Sequence, residues 1–226
     1  MKLDVGLDRC LCIHSQSQLI DIVLQVLLYQ RKIIPEPVQY LLEVQDQKSQ
    51  SFRTTYEQIK EALRGTFCSA NTGLIREIVF LLGSTPYLPK EVYRIPTMSC
   101  EKHSNSDEAG CGDHCNSLSS REKRKIFSSI ALNKATSSLW SNNSLCANDK
   151  LFVFLNASDK ISPVLESIEM DPSFELPIEG QKKALRCITV EAKSACFNED
   201  LRELNAQIEG ICEETWFRIL PYFARI

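Results

Sequence analysis

Leu27 to Leu42 reads "LLYQRKIIPEPVQYLL". A strongly apolar segment runs into it from Ser15, and Pro35 and Pro37 end it, because proline lacks the amide hydrogen and clashes with the preceding turn. Ser15 to Arg31 is therefore predicted to be a helix, with Ser17 at its start as a capping hydroxyl. On a wheel of 100° per residue, Asp21, Gln25, Leu28 and Lys32 fall in one narrow arc. The remaining circumference is apolar, through Leu19, Ile20, Ile22, Val23, Leu24, Val26 and Leu27. Such a helix lies in a core. Gln30 is the exception, since it falls opposite Asp21, on a side where solvent is not expected. Two readings stand for it: a side chain that caps its own helix end, where the last carbonyls lack partners, or a contact for something outside the chain.

Working outward, "PVQYLLEVQ" is a short second helix and "QDQKSQSFRTTYEQ" is polar enough to read as a linker. Helical spacing resumes in "TTYEQIKEALRGTF", with Tyr56, Ile59, Ala62 and Leu63 on one face. "IVFLL" within "LIREIVFLLG" is a continuous apolar run rich in strand formers, as expected of a central strand buried on both faces. "STPYLPKEVYRIP" follows as a turn and a short element. "REKRKIFSSIALNKATSSLW" reads as a third helix with a basic start. Ile126 and Ile130 share its core stripe and Phe127 is turned about 100° away. Phe127 is either ordinary core, as aromatics usually are, or a contact. "DKLFVFLN" is a short strand, "SFELPIEGQKKALRCITVEA" looks like two strands joined near Gly180, and "TWFRILPYF" is aromatic and extended. Helices first and strands late indicate an α+β fold, with residues 98–120 as a polar, Ser-rich loop.

The 226 residues suit one large domain or two small ones. A net charge of −3 sets up no strong field toward nucleic acid or membrane. The run Arg121, Lys123, Arg124, Lys125 lacks the interleaved aromatics that stack bases. It sits awkwardly at a helix start, where cations oppose the helix dipole, and an acidic partner surface would relieve it. No apolar run reaches the roughly 18 residues of a membrane span. The first residues lack the apolar core of an export signal, so the ten cysteines read as thiols rather than disulfides. Cys10 and Cys12 alternate on an expected first strand.

The metal candidate is "CEKHSNSDEAGCGDHC", which holds Cys100, His103, Cys111, His114 and Cys115. Thiolate and imidazole are zinc ligands, but the spacing lacks the paired C-x-x-C of structural sites. Zinc loop and plain loop both remain open. A phosphate loop, a G-x-S-x-G elbow and an H-E-x-x-H helix are all missing. No catalytic residue and no cofactor are therefore expected.

"LLYQRKIIP" resembles the end of the first helix in HORMA domains. Four further stretches are similar, in order, to the comet protein family of HORMA-like adaptors: "LLGSTPYLPKEVY", "KIFSSIALNKATSSL", "SFELPIEGQK" and "WFRILPYF". The resemblance implies a single HORMA-like domain over 1–226. Three helices would pack on an antiparallel sheet, with a safety-belt-like segment over about 150–226. It implies a non-enzymatic adaptor that binds the closed conformer of the mitotic-arrest-deficient-two checkpoint protein and presents it to a hexameric AAA+ ATPase, silencing the mitotic checkpoint. Nucleus and cytoplasm, with spindle and kinetochore association in mitosis, would be its locations. By the same resemblance Gln30, Arg31 and Phe127 would face the partner, and Trp216, Phe217, Tyr222 and Phe223 would be a built-in ligand in the chain's own belt site. The Cys/His loop and the missing acidic N-terminal tail depart from that family. Two other functions stay open: a peptide-trapping HORMA protein that is client rather than adaptor, and a zinc-binding module centred on 100–115.

Overall fold

In the computed structural model of the chain, residues 1–8, 11–67, 75–97, 117–142, 145–158, 167–177, 185–193 and 214–226 are described. Their strands are β1 (Lys2–Gly6), β2 (Ile75–Gly83), β3 (Pro89–Pro96), β4 (Lys150–Ser158), β5 (Ile168–Met170), β6 (Arg186–Lys193) and β7 (Glu214–Phe223). Their helices are α1 (Ile13–Gln30), α2 (Val38–Glu43), α3 (Gln47–Thr66), α4 (Ser120–Ala131) and α5 (Lys134–Asn142). All seven strands join one sheet in the order β1-β6-β3-β2-β4-β7-β5.

The fold is α+β, but the sheet is mixed rather than antiparallel. β6 lies parallel to both β1 and β3, while β2, β3, β4, β5 and β7 pair antiparallel. Parallel neighbours need long crossovers, and here whole helices and strands intervene. The expected central strand is β2, whose every residue but Arg76 is buried. Gly83 closes the β2–β3 hairpin because a Cβ there would stand 2.7 Å from the Leu88 carbonyl oxygen.

The described residues form five helices where the resemblance implies three. The stretch read as a linker is the first half of α3. Asp46 caps it by accepting from the Ser49 amide at 3.0 Å, and Ser49, Phe52 and Tyr56 continue its buried face. The third helix of the sequence reading is two helices. Asn133 accepts from the Ala135 amide at 2.9 Å and so starts α5. α1 begins earlier than Ser17, whose hydroxyl donates to the His14 carbonyl at 2.7 Å inside the helix. Cys12 is the residue before α1, not a strand residue.

The predicted solvent arc of α1 is largely covered. Leu28 is fully buried. The Tyr56 hydroxyl donates to Asp21 at 2.6 Å, and the Gln25 amide donates to Asp21 and to Tyr56, each at 3.0 Å. Burial, and then the Asp21 charge, push the Tyr56 phenol far above its ordinary range. Only Lys32 of the arc is exposed.

The sheet separates two apolar regions. The larger one includes Ile78, Phe80, Leu82, Val153 and Leu155 under the helices. The opposite face is covered through Phe174, which stacks on Phe154 at 4.2 Å and meets Trp216 edge-on at 5.2 Å. Of the two strands expected around Gly180, β6 is present. Ser173 to Pro177 are irregular, and residues 178–184 lie outside the described ones.

Candidate functional site

α1 ends in a closure made by its own backbone. Lys32 takes a positive φ of 53°. Its amide donates to Tyr29 at 3.0 Å, and the amides of Ile33 and Ile34 donate to Leu28 at 2.9 and 3.2 Å. A helix end with a left-handed residue and these bonds satisfies its last carbonyls without side-chain help. The capping explanation for Gln30 therefore falls away. Gln30 is half-buried, and among the described residues its amide has no hydrogen-bond partner.

Arg31 corrects the sequence reading. It is only 6% exposed and points into the molecule. Its Nε and Nη2 donate to the two Glu91 oxygens at 2.9 and 2.8 Å, and Nη1 donates to the Trp140 carbonyl at 3.2 Å. The Tyr93 hydroxyl donates to Glu91 at 2.7 Å, and the Trp140 indole donates to Tyr93 at 2.8 Å. The four residues form a closed ring that ties the end of α1 to β3 and α5. Burial, and then the Glu91 charge, push the Tyr93 phenol well above the usual tyrosine range. A fork of five donors suits such a buried bidentate pair. Arg31 thus holds the helix end that carries Gln30 rather than presenting its own charge outward.

Phe127 is on α4, which packs against α1. At 42% exposure it is not core, whereas its neighbours Ile126 and Ile130 are buried. α4 starts with Ser119 accepting from the Glu122 amide and Glu122 accepting from the Ser119 amide. The Leu118 amide donates to Gln18 at 2.8 Å near one end of α1, and the Arg31 bond to Trp140 ties α5 to the other. These two bonds tether the α4–α5 pair to α1 at Gln18 and at Arg31.

The tail rings divide between the two faces. β7 inserts between β4 and β5. Phe217 and Phe223 are buried in the helix-side core, where Phe223 meets Phe52 at 5.8 Å. Trp216 packs on the opposite face. Tyr222 is 36% exposed, with its ring 5.4 Å from that of Phe152 and Lys150 Nζ 4.3 Å from its ring centre. The C-terminus also reaches the α1 end, because the Ile226 amide donates to the Ile33 carbonyl at 3.1 Å.

Cys100, His103, Cys111, His114 and Cys115 lie outside the described residues. Among the described residues no helix is long and apolar enough to cross a membrane. Sequence reasoning missed Glu91, Tyr93 and Trp140. One signal was available: Glu91 alternates with Tyr93 and Ile95 on one face of a strand, and a carboxylate in such a row needs a buried cation. No family model matches the chain, and no curated protein matches it either.

Proposed function

We propose that this chain is a HORMA-like, non-enzymatic adaptor that binds the closed conformer of the mitotic-arrest-deficient-two checkpoint protein and presents it to an AAA+ ATPase, so silencing the checkpoint. The observation that carries the reading is a pair of side chains the fold leaves unused. Gln30 has no described partner at the end of α1, and Phe127 stands out of the core on the helix packed beside it. An unused amide with an exposed aromatic is what an interface needs: a hydrogen bond for register and a ring for burial. The resemblance of the surrounding stretches to the comet family supplies the identity of the partner. Nuclear and cytoplasmic residence with spindle association follows from the same reading.

The client reading fits less well. A peptide-trapping protein needs a free strand position for its ligand, and here β7 of the same chain occupies the position between β4 and β5. The zinc-module reading would be decided by metal analysis of the purified protein.

The test is a side-by-side titration with the closed and the open conformer of the checkpoint protein. Binding to the closed form alone is expected, through an interface of about 1,600 Å² in total. Equal affinity for both forms, or none for either, would overturn the proposal. Change in the partner's conformer should require the ATPase and nucleotide. Turnover by this chain alone at substoichiometric amounts would contradict the non-enzymatic assignment.

A further inference from the structure

We infer that the partner surface which takes Phe127 carries an acidic rim, read by Lys123 and Arg124; this rests on the adaptor reading above. On α4, Lys123 precedes Phe127 by four residues and Arg124 precedes it by three. Both therefore lie on the face of the ring, one turn before it. All three side chains are exposed. Among the described residues neither cation makes an ion pair or a hydrogen bond, whereas Lys125, on another side of the helix, comes within 3.7 Å of Asp8.

Among the described residues the fold makes no ion pair or hydrogen bond with these two charges. They follow the first turn of α4, beyond the reach of its dipole. The start of the helix is already secured by the Ser119–Glu122 capping box. Two exposed cations without a described partner, next to an exposed ring, are complementary to an apolar pocket bordered by carboxylates. Charges at the edge of an interface act mainly on the rate of encounter and on its salt dependence, while the buried ring acts on dissociation.

The experiment measures association and dissociation rates of the full chain with the closed conformer of the checkpoint protein, at low and high ionic strength. Wild type, Lys123→Glu with Arg124→Glu, and Phe127→Ala are compared. Charge reversal should slow association about tenfold at low salt, with the gap closing at high salt as screening shortens the range of the field. Phe127→Ala should speed dissociation at both. Wild-type association by the reversal variant at low salt would overturn the acidic rim and leave the adaptor reading standing. Failure of the wild-type chain to bind would overturn both. A melting temperature lowered by the charge reversal would assign the cations to a partner within the chain. Tight binding of a single-stranded RNA oligomer, lost in the same variant, would assign them to nucleic acid. Either result would overturn the inference.

Discussion

The end of α1 and the exposed face of α4 belong to two helices packed side by side, yet their polar groups meet opposite fates. At α1, Arg31 is buried and every arm of its guanidinium is engaged by Glu91 or Trp140. On α4, Lys123 and Arg124 stand in solvent beside an aromatic ring. The same charge therefore does two kinds of work. A buried cation with a bidentate partner fixes a helix to a sheet. An exposed one next to Phe127 leaves the fold unaffected and remains available. The difference teaches that a residue's place in a sequence motif does not decide its role. Gln30 and Arg31 are adjacent in "YQR", but the chain turns one into the ring and leaves the other without a described partner.

The largest effect that would break this comparison is at the ring. Arg31→Ala leaves the buried Glu91 without its cation, and should lower unfolding free energy by about 3–5 kcal/mol, read by denaturant titration. Arg31→Met combined with Glu91→Leu should lose less than either single change, because an apolar pair can replace a buried ion pair. A near-neutral Arg31→Ala would mean that the guanidinium belongs at the surface after all.

Next is Phe127→Ala. Stability should change by less than about 0.5 kcal/mol, while partner affinity should fall by about 2 kcal/mol, roughly thirtyfold. Thermal melting and partner titration on the same variant separate the two. A collapsed melting point would return Phe127 to the core. Gln30→Ala is expected to be smaller still, with an unchanged melt and about 1 kcal/mol of binding lost with its hydrogen bond. The smallest effect is Lys32→Gly. Removing a side chain from a left-handed residue should raise stability by about 0.5 kcal/mol, since relief of the strain slightly exceeds the extra freedom of glycine when unfolded. Unchanged binding in this variant would show that the closure of α1 serves the fold alone.

Much of this was legible from local pattern. The burial of α1, the two-sided burial of β2, the face of α3 after Tyr56, and the rotation of Phe127 off its stripe all follow from periodicity. The first half of α3 did not, because two of its three buried residues before Ile59 carry hydroxyls, Ser49 and Tyr56, and a sparse stripe looks like a linker. The mixed sheet was illegible for a different reason. Nothing local in "RCITVEA" says that β6 will lie between β1 and β3. The ring was hidden by distance, with Arg31 and Trp140 separated by 109 residues. At the candidate site, the exposure of Phe127 and the half-burial of Gln30 are compatible with the outward roles expected of them, whereas Arg31 was given an outward role that its burial does not allow.

The strand order bears on how the chain is made. A ribosome releases β1 early, yet its neighbour is β6, and the Met1 ammonium donates to a carbonyl 186 residues along. β7 follows every other strand and still takes an interior position, so β5 has no partner in the sheet until β7 arrives. Closing loops of that length is slow. The β2–β3 hairpin can form while synthesis continues, and β4 can then join it. Both flanks of the sheet must wait. Until then Leu3 and Val5 on one side, and the positions of Phe217 and Phe223 on the other, have no cover. The nascent chain therefore passes through a stage with exposed apolar edges, where a chaperone would find its binding sites.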